Sequence, residues 1–205
     1  MILQTLRILA DELNAHLNLI ESTADDNVVL GNIATADNSE YRPNSNVGSI
    51  ENRVVLSLVK VEEEKTMKNR PAHRINPLDN SLVYENPNLN VNLYILFSVN
   101  SFYYENAMTY LSRIIRFFQA KKVFTHLNTP ITAVGNSFDQ FTQFKFILDM
   151  VSPTFEEANY LWSINGGKQL PYVMYKIRML ELEFRKPLDR GQVIEEIQIE
   201  GNSKL

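Results

Sequence analysis

NVNLYILFSVNSFYYENAMTYLSRIIRFFQAKKVFT, residues 90–125, decides how the rest of the chain is read. It opens with period two: Val91, Leu93, Ile95, Phe97 and Val99 on one face, Asn92, Tyr94, Leu96 and Ser98 on the other. That is the alternation of an extended strand. Apolar residues on both faces predict a central strand covered on at least one side, with cover on both expected. After a short turn the period changes. Ala107, Leu111, Ile114, Ile115 and Phe118 follow helical spacing, while Arg113, Arg116 and Gln119 take the opposite face. A strand feeding an amphipathic helix within a few residues is a core unit of an α/β or α+β protein.

Upstream, Ile2, Leu6, Leu9, Leu13, Leu17 and Ile20 make a helical stripe that predicts a helix over residues 2–21, packed on the sheet. A membrane-surface helix would carry Lys and Arg along its polar face, and this one has a single Arg. Residues 28–33 are expected to form a short strand. Residues 34–52, rich in Asn, Ser and Asp, predict a long surface loop. Arg53 to Val61 then gives a strand that Glu62, Glu63, Glu64 and Lys65 carry outward into solvent. Residues 67–90, with Pro71, Pro77, Pro87 and many Asn, predict a β-hairpin excursion with a projecting tip, holding a strand-like patch at Leu82, Val83 and Tyr84.

Downstream, residues 123–138 predict a connection with a marginal strand, and residues 143–150 a strand. Ser152 and Pro153 suit an N-cap and first helical position, with Thr154 and Glu157 as a second possible capping pair. That helix should end at Asn165, Gly166 and Gly167. Tyr172 to Glu183 predicts the last strong strand, with Val173, Tyr175, Ile177 and Met179 on one face. The segment VIEEIQIE, residues 193–200, is strand-like before a short polar C-terminal tail. The expected fold class is therefore α/β (α+β): one domain over residues 1–205, a mixed β-sheet packed with about three helices and five to seven strands.

A hydrophobic fraction of 44% suffices for a proper core, and a net charge of −4 places a dedicated nucleic-acid binder at a disadvantage. The absence of cysteine removes disulfides, thiolate zinc sites and cysteine nucleophiles together. The apolar runs fall short of the ~18 residues of a membrane span, so a soluble chain without direct membrane insertion is expected. No enzyme motif is present. His16, His73 and His126 stand apart at no metal-ligand spacing. Gly166-Gly167-Lys168 lacks the phosphate-cradling spacing, and no nucleophile-elbow pattern occurs. The reading is no enzyme, no cofactor and no metal. Arg113, Arg116, Lys121 and Lys122 form a modest basic patch, either a solvated helix face or a surface for an acidic protein partner. Glu62, Glu63 and Glu64 are the acidic counterpart. Strand-edge and loop material without a small-molecule site points to an assembly protein.

Three blocks carry a resemblance that composition cannot: RVVLSLVKVEEEKTMKN at 53–69, VNLYILFSVNSFYYENAMTYLSRIIRFFQAKKVF at 91–124, and SPTFEEANYLWSINGGKQLPYVMYKIRML at 152–180. In this order, with the N-terminal helix, the chain resembles the cap, or tail-terminator, proteins of phage-tail-like contractile injection systems. The resemblance implies a tail-terminator fold. It further implies a ring, typically a hexamer, that sits on the last layer of the inner-tube protein, ends its polymerisation and fixes the distal end of the sheath protein. Assembly in the cytoplasm, into a particle that is then released or anchored, follows from the same likeness. Some members carry a further domain after this core, whereas this sequence stops at Leu205, so a short cap or one of two paralogues sharing the role is expected. Glu62, Glu63, Glu64, Arg113 and Arg116 are the interface candidates. The alternative is a soluble adaptor or effector-docking protein that reuses the fold without capping a tube.

Overall fold

The computed structural model describes residues 2–21, 26–35, 50–66, 73–75, 81–84, 89–129, 144–165, 167, 169–182 and 189–192. Through them the chain runs α1 (Ile2–Glu21), β1 (Val28–Leu30), a 3-10 turn (Ile33–Thr35), β2 (Arg53–Glu63), β3 (His73–Ile75), β4 (Ser81–Tyr84) and β5 (Leu89–Asn100). It continues with α2 (Tyr104–Ala120), β6 (Val123–Thr125), β7 (Lys145–Val151), α3 (Phe155–Ile164), β8 (Tyr172–Leu182) and β9 (Asp189–Gln192). The fold is mixed α+β. It divides into two compact units: Met1–Glu63 with Val91–Leu180, and Glu64–Asn90 with Glu181–Leu205.

The larger unit is built on a six-stranded sheet in the order β1-β2-β5-β8-β7-β6. β1 runs parallel to β2, while β2 and β5, β7 and β8, and β6 and β7 are antiparallel. β5 lies inside the sheet, and both its faces are covered. On one face Phe97 meets Phe118 of α2 and Tyr175 of β8, with ring centroids 5.2 and 6.0 Å apart. Leu9, Leu13 and Leu17 of α1 are fully buried, as their helical spacing requires. On the other face Leu96 joins Ile33, Val55 and Trp162 of α3 in a second cluster. The two-sided apolar pattern of β5 thus becomes two separate cores.

Several boundaries differ from the sequence reading, for physical reasons. Helix α3 is capped by Thr154 rather than Ser152. Its side chain accepts from the Glu157 N–H, and the Glu157 carboxylate accepts from the Thr154 N–H at 2.9 Å. This reciprocal box satisfies two otherwise open backbone donors, which Ser152 placed before Pro153 does not do. Strand β1 ends at Leu30, and residues 33–35 turn into a 3-10 segment instead of extending it. Asn165 closes α3, and the Gly167 N–H, at φ 79°, donates to the Trp162 carbonyl at 2.8 Å. In β8, Val173, Tyr175 and Ile177 are buried on one face; the side chain of Met179 lies outside the described set.

In the smaller unit the excursion after β2 is a hairpin, β3 against β4, extended by β9 into a three-stranded sheet in the order β3-β4-β9. Nine strands are described, more than the five to seven expected, because β3 and β9 are pieces of three and four residues without apolar alternation. Residues 193–200, expected as a strand, and most of the 34–52 loop lie outside the described residues.

Candidate interaction surfaces

The structure treats the acidic run Glu62, Glu63 and Glu64 as three different things. Strand β2 is buried at Val54, Val55 and Leu56, shifts register between Leu58 and Lys60, and is exposed on both faces from there to its end, apart from half-buried Glu62. Glu62 lies on the face shared with Tyr94 of β5 and Lys176 of β8. Its carboxylate meets Lys60 Nζ at 3.0 Å, accepts from the Tyr94 hydroxyl at 2.8 Å, and has Lys176 Nζ at 3.9 Å. Both ammonium groups also sit 5.3 Å from the centre of the Tyr94 ring. The hydrogen bonds from Lys60 and Tyr94 hold the Glu62 carboxyl below its ordinary value, and the same bond raises Lys60. Glu62 is therefore already used inside the fold. Glu63 is exposed. Glu64 accepts from the Thr66 hydroxyl at 2.7 Å and the Thr66 N–H at 3.2 Å, closing the turn that follows the strand.

The basic candidates divide in the same way. Arg113 forms an ion pair with Glu21 at the end of α1. Beside it the Tyr110 hydroxyl lies 3.0 Å from Glu21 Oε2 and 3.3 Å from Asn27 Oδ1. Burial, then the neighbouring Glu21 carboxylate, pushes Tyr110 up to about 12. Lys121 reaches Glu12 at 2.6 Å, and His16 packs on Phe117 at 4.9 Å. These contacts lock α1 antiparallel to α2. Arg116 and Lys122, by contrast, are exposed, and so is Lys145 at the start of β7. The structure thus brings Lys60, Glu62 and Lys176 together, ties Arg113 to the core, and leaves Glu63 and Arg116 at the surface.

One exposed apolar surface was not anticipated from the sequence. Where β5 ends, the turn into α2 presents Phe102, Tyr103 and Tyr104, at 80, 71 and 70% exposure. The Val99 N–H donates to the Pro171 carbonyl at 2.9 Å, so β8 begins beside this turn. Val151 of β7 pairs with Met174 there. Helix α3 leaves and returns to the same end of the sheet, carrying Phe155 and Ile164 at 98 and 82% exposure. The signal was present in FYYEN at 102–106, which precedes Ala107, where the apolar helical period begins.

Among the described residues no group of three or more His, Cys, Asp or Glu is placed to hold a metal ion, and no helix there is long and apolar enough to cross a membrane.

The family model of the Pvc16 N-terminal domain matches residues 4–196. No curated protein matches the chain. Among solved structures the fold is similar to the sheath/tube terminator, in the extended state, of an extracellular contractile injection system termed PVC. The TM-score is 0.56 at 9% identity, over 97% of this chain, which spans 64% of that protein's length. A second similar structure is the tube-terminating cap of the anti-feeding prophage, with a TM-score of 0.49 at 8% identity over 73% of this chain and 49% of that one.

Proposed function

Because the chain belongs to the Pvc16 N-terminal domain family, we propose that it is a structural cap, or tail terminator, of a contractile injection system. On this reading copies form a closed ring, six-fold by preference, on the last layer of the inner tube. The ring ends polymerisation and fixes the distal end of the sheath. Its partners are the inner-tube protein, the sheath protein and further copies of itself. Catalysis, cofactor binding, nucleic-acid binding and membrane insertion have no part in the role, and assembly takes place in the cytoplasm before the particle is released or anchored. The observation that carries the reading is the match to the family model over residues 4–196. The fold shared with a sheath/tube terminator over 97% of the chain supports it.

The physics of termination is simple. A tube elongates because its axial interface is heterologous and never closes. A ring that offers the matching surface on one side only accepts the last layer and presents nothing to the next. Electron microscopy of particles from cells lacking the chain tests this. Overlong, ragged or sheathless tubes are expected. Particles of normal length with an extended sheath would overturn the proposal.

A further inference from the structure

We propose that copies of this chain join head to tail, the aromatic, acidic end of the six-stranded sheet in one copy meeting the basic β6 edge of the next. This rests on the cap reading and specifies the contact that would close its ring.

Two surfaces of the larger unit carry the inference. The first is the end of the sheet where β5 stops and β8 starts. Phe102, Tyr103 and Tyr104 in the turn into α2, and Phe155 and Ile164 at the two ends of α3, are all at least 70% exposed. Exposed Glu105 and Glu156 stand in the first turns of α2 and α3, and exposed Asp26 precedes β1. None of these three carboxylates has an ion-pair partner among the described residues. Arg113, the cation nearest on α2, is taken by Glu21, and half-buried Arg53, opposite Asn100, is a single cation among the three carboxylates at this end.

The second surface is the opposite in sign. Among the described residues strand β6 is an edge of the sheet. Exposed Arg116 stands near the end of α2, exposed Lys122 directly before β6, and exposed Lys145 opposite Thr125 of β6. Glu12, facing the end of α2, and Asp149 of β7 are occupied by Lys121 and Arg178. The three remaining cations have no partner among the described residues. Exposed Leu127 and Val123 supply apolar contact area on the same edge.

Neither surface matches itself. Acid against acid or base against base would repel, so a two-fold contact through either is disfavoured, while each fits the other. A contact between two different surfaces of one chain is heterologous and generates a ring when its rotation closes. Aromatic side chains ringed by charge are also the composition of an energetic contact centre.

The absence of cysteine makes the test clean. The full chain carrying both Tyr104→Cys and Lys122→Cys, treated with a short bis-maleimide, should give a ladder of covalent oligomers ending at the ring. Each single replacement should give monomer. Dimers from Tyr104→Cys alone, or no ladder while native mass shows a ring, would overturn the inference. Separately, Lys122→Glu with Lys145→Glu should weaken association about tenfold, and adding Glu105→Lys with Glu156→Lys should restore it. Unchanged association of the first pair, or a monomeric parent chain, would likewise overturn it. These outcomes are independent of tube length. A ring built through other surfaces sinks this contact and leaves capping intact, whereas normal tubes without the chain sink capping and leave the ladder.

Discussion

Removing the carboxamide of Asn14 should loosen the edge of the main sheet by a predictable amount. Strand β1 is only three residues long and pairs with β2 on one side. On its other side the Val28 N–H donates to Asn14 Oδ1 at 2.7 Å, and the Val28 carbonyl accepts from Asn14 Nδ2 at 2.9 Å. Asn14 and Val28 are 8 and 2% exposed, so water cannot replace these bonds in the folded state. Asn14→Leu keeps the branched heavy-atom shape and leaves two buried backbone groups unpaired at ~1–3 kcal/mol each. The added apolar burial offsets ~1–2 kcal/mol of that, so a net loss of about 2–3 kcal/mol is expected. For a chain of this size that lowers Tm by about 4–12 °C. Chemical denaturation followed by the single Trp reads the loss, and hydrogen exchange localises it to the Val28 amide. A change below ~0.5 kcal/mol with the Val28 amide still protected would refute the reasoning.

Phe118 touches the rings of Phe97, Phe117, Phe124 and Tyr175 at centroid distances between 5.0 and 6.3 Å; Phe118→Ala should cost ~3–5 kcal/mol, read by denaturation. Tyr110 and Tyr175 are both pushed up to about 12, Tyr110 by burial and then Glu21, Tyr175 by burial. The folded state holds these protons more tightly than the unfolded chain. Their contribution to stability is therefore full below pH 10 and lost as pH rises through about 12; in an absorbance titration they should ionise last, and ionisation of all nine tyrosines near pH 10 in a folded chain would contradict this. Trp162 is 5% exposed and its Nε1 has no hydrogen-bond partner among the described residues, so Trp162→Phe should cost markedly less in thermal denaturation than Trp162→Ala, the indole N–H contributing no bond to lose there. Glu62→Lys places a third cation against Tyr94 beside Lys60 and Lys176 and should lower Tm by itself in thermal denaturation, and an unchanged Tm would contradict this.

What was legible in the sequence is what periodicity encodes. β5 and α1 emerge because burial on their faces is dictated by side-chain direction alone, and Leu9, Leu13 and Leu17 or Leu93, Ile95 and Phe97 have no alternative to the core. The end of α3 was legible because Asn165 and Gly167 answer a local backbone need. β3 and β9 were not, since HRI and DRGQ have no apolar alternation and exist only by pairing with β4. The fate of the charges was not legible either. Arg113 and Arg116 sit on the same helix three residues apart, yet one meets Glu21, distant in sequence, while the other faces solvent. Only the antiparallel docking of α1 on α2 separates them.

That separation bears on what a partner can recognise. A charge neutralised inside the fold contributes little field at the surface, so Glu62, Arg113 and Lys121 are poor recognition elements despite standing out in the sequence. Among the described charges left over after internal pairing, Asp26, Glu105 and Glu156 lie on one surface and Arg116, Lys122 and Lys145 on another, with exposed aromatics on the acidic one. On the proposed head-to-tail contact these surfaces satisfy each other within a ring. Lateral closure then consumes both patches, and the two axial faces are free to differ. A terminator needs that asymmetry: one face must bind the last layer of the tube, and the other must offer nothing on which a further layer could grow.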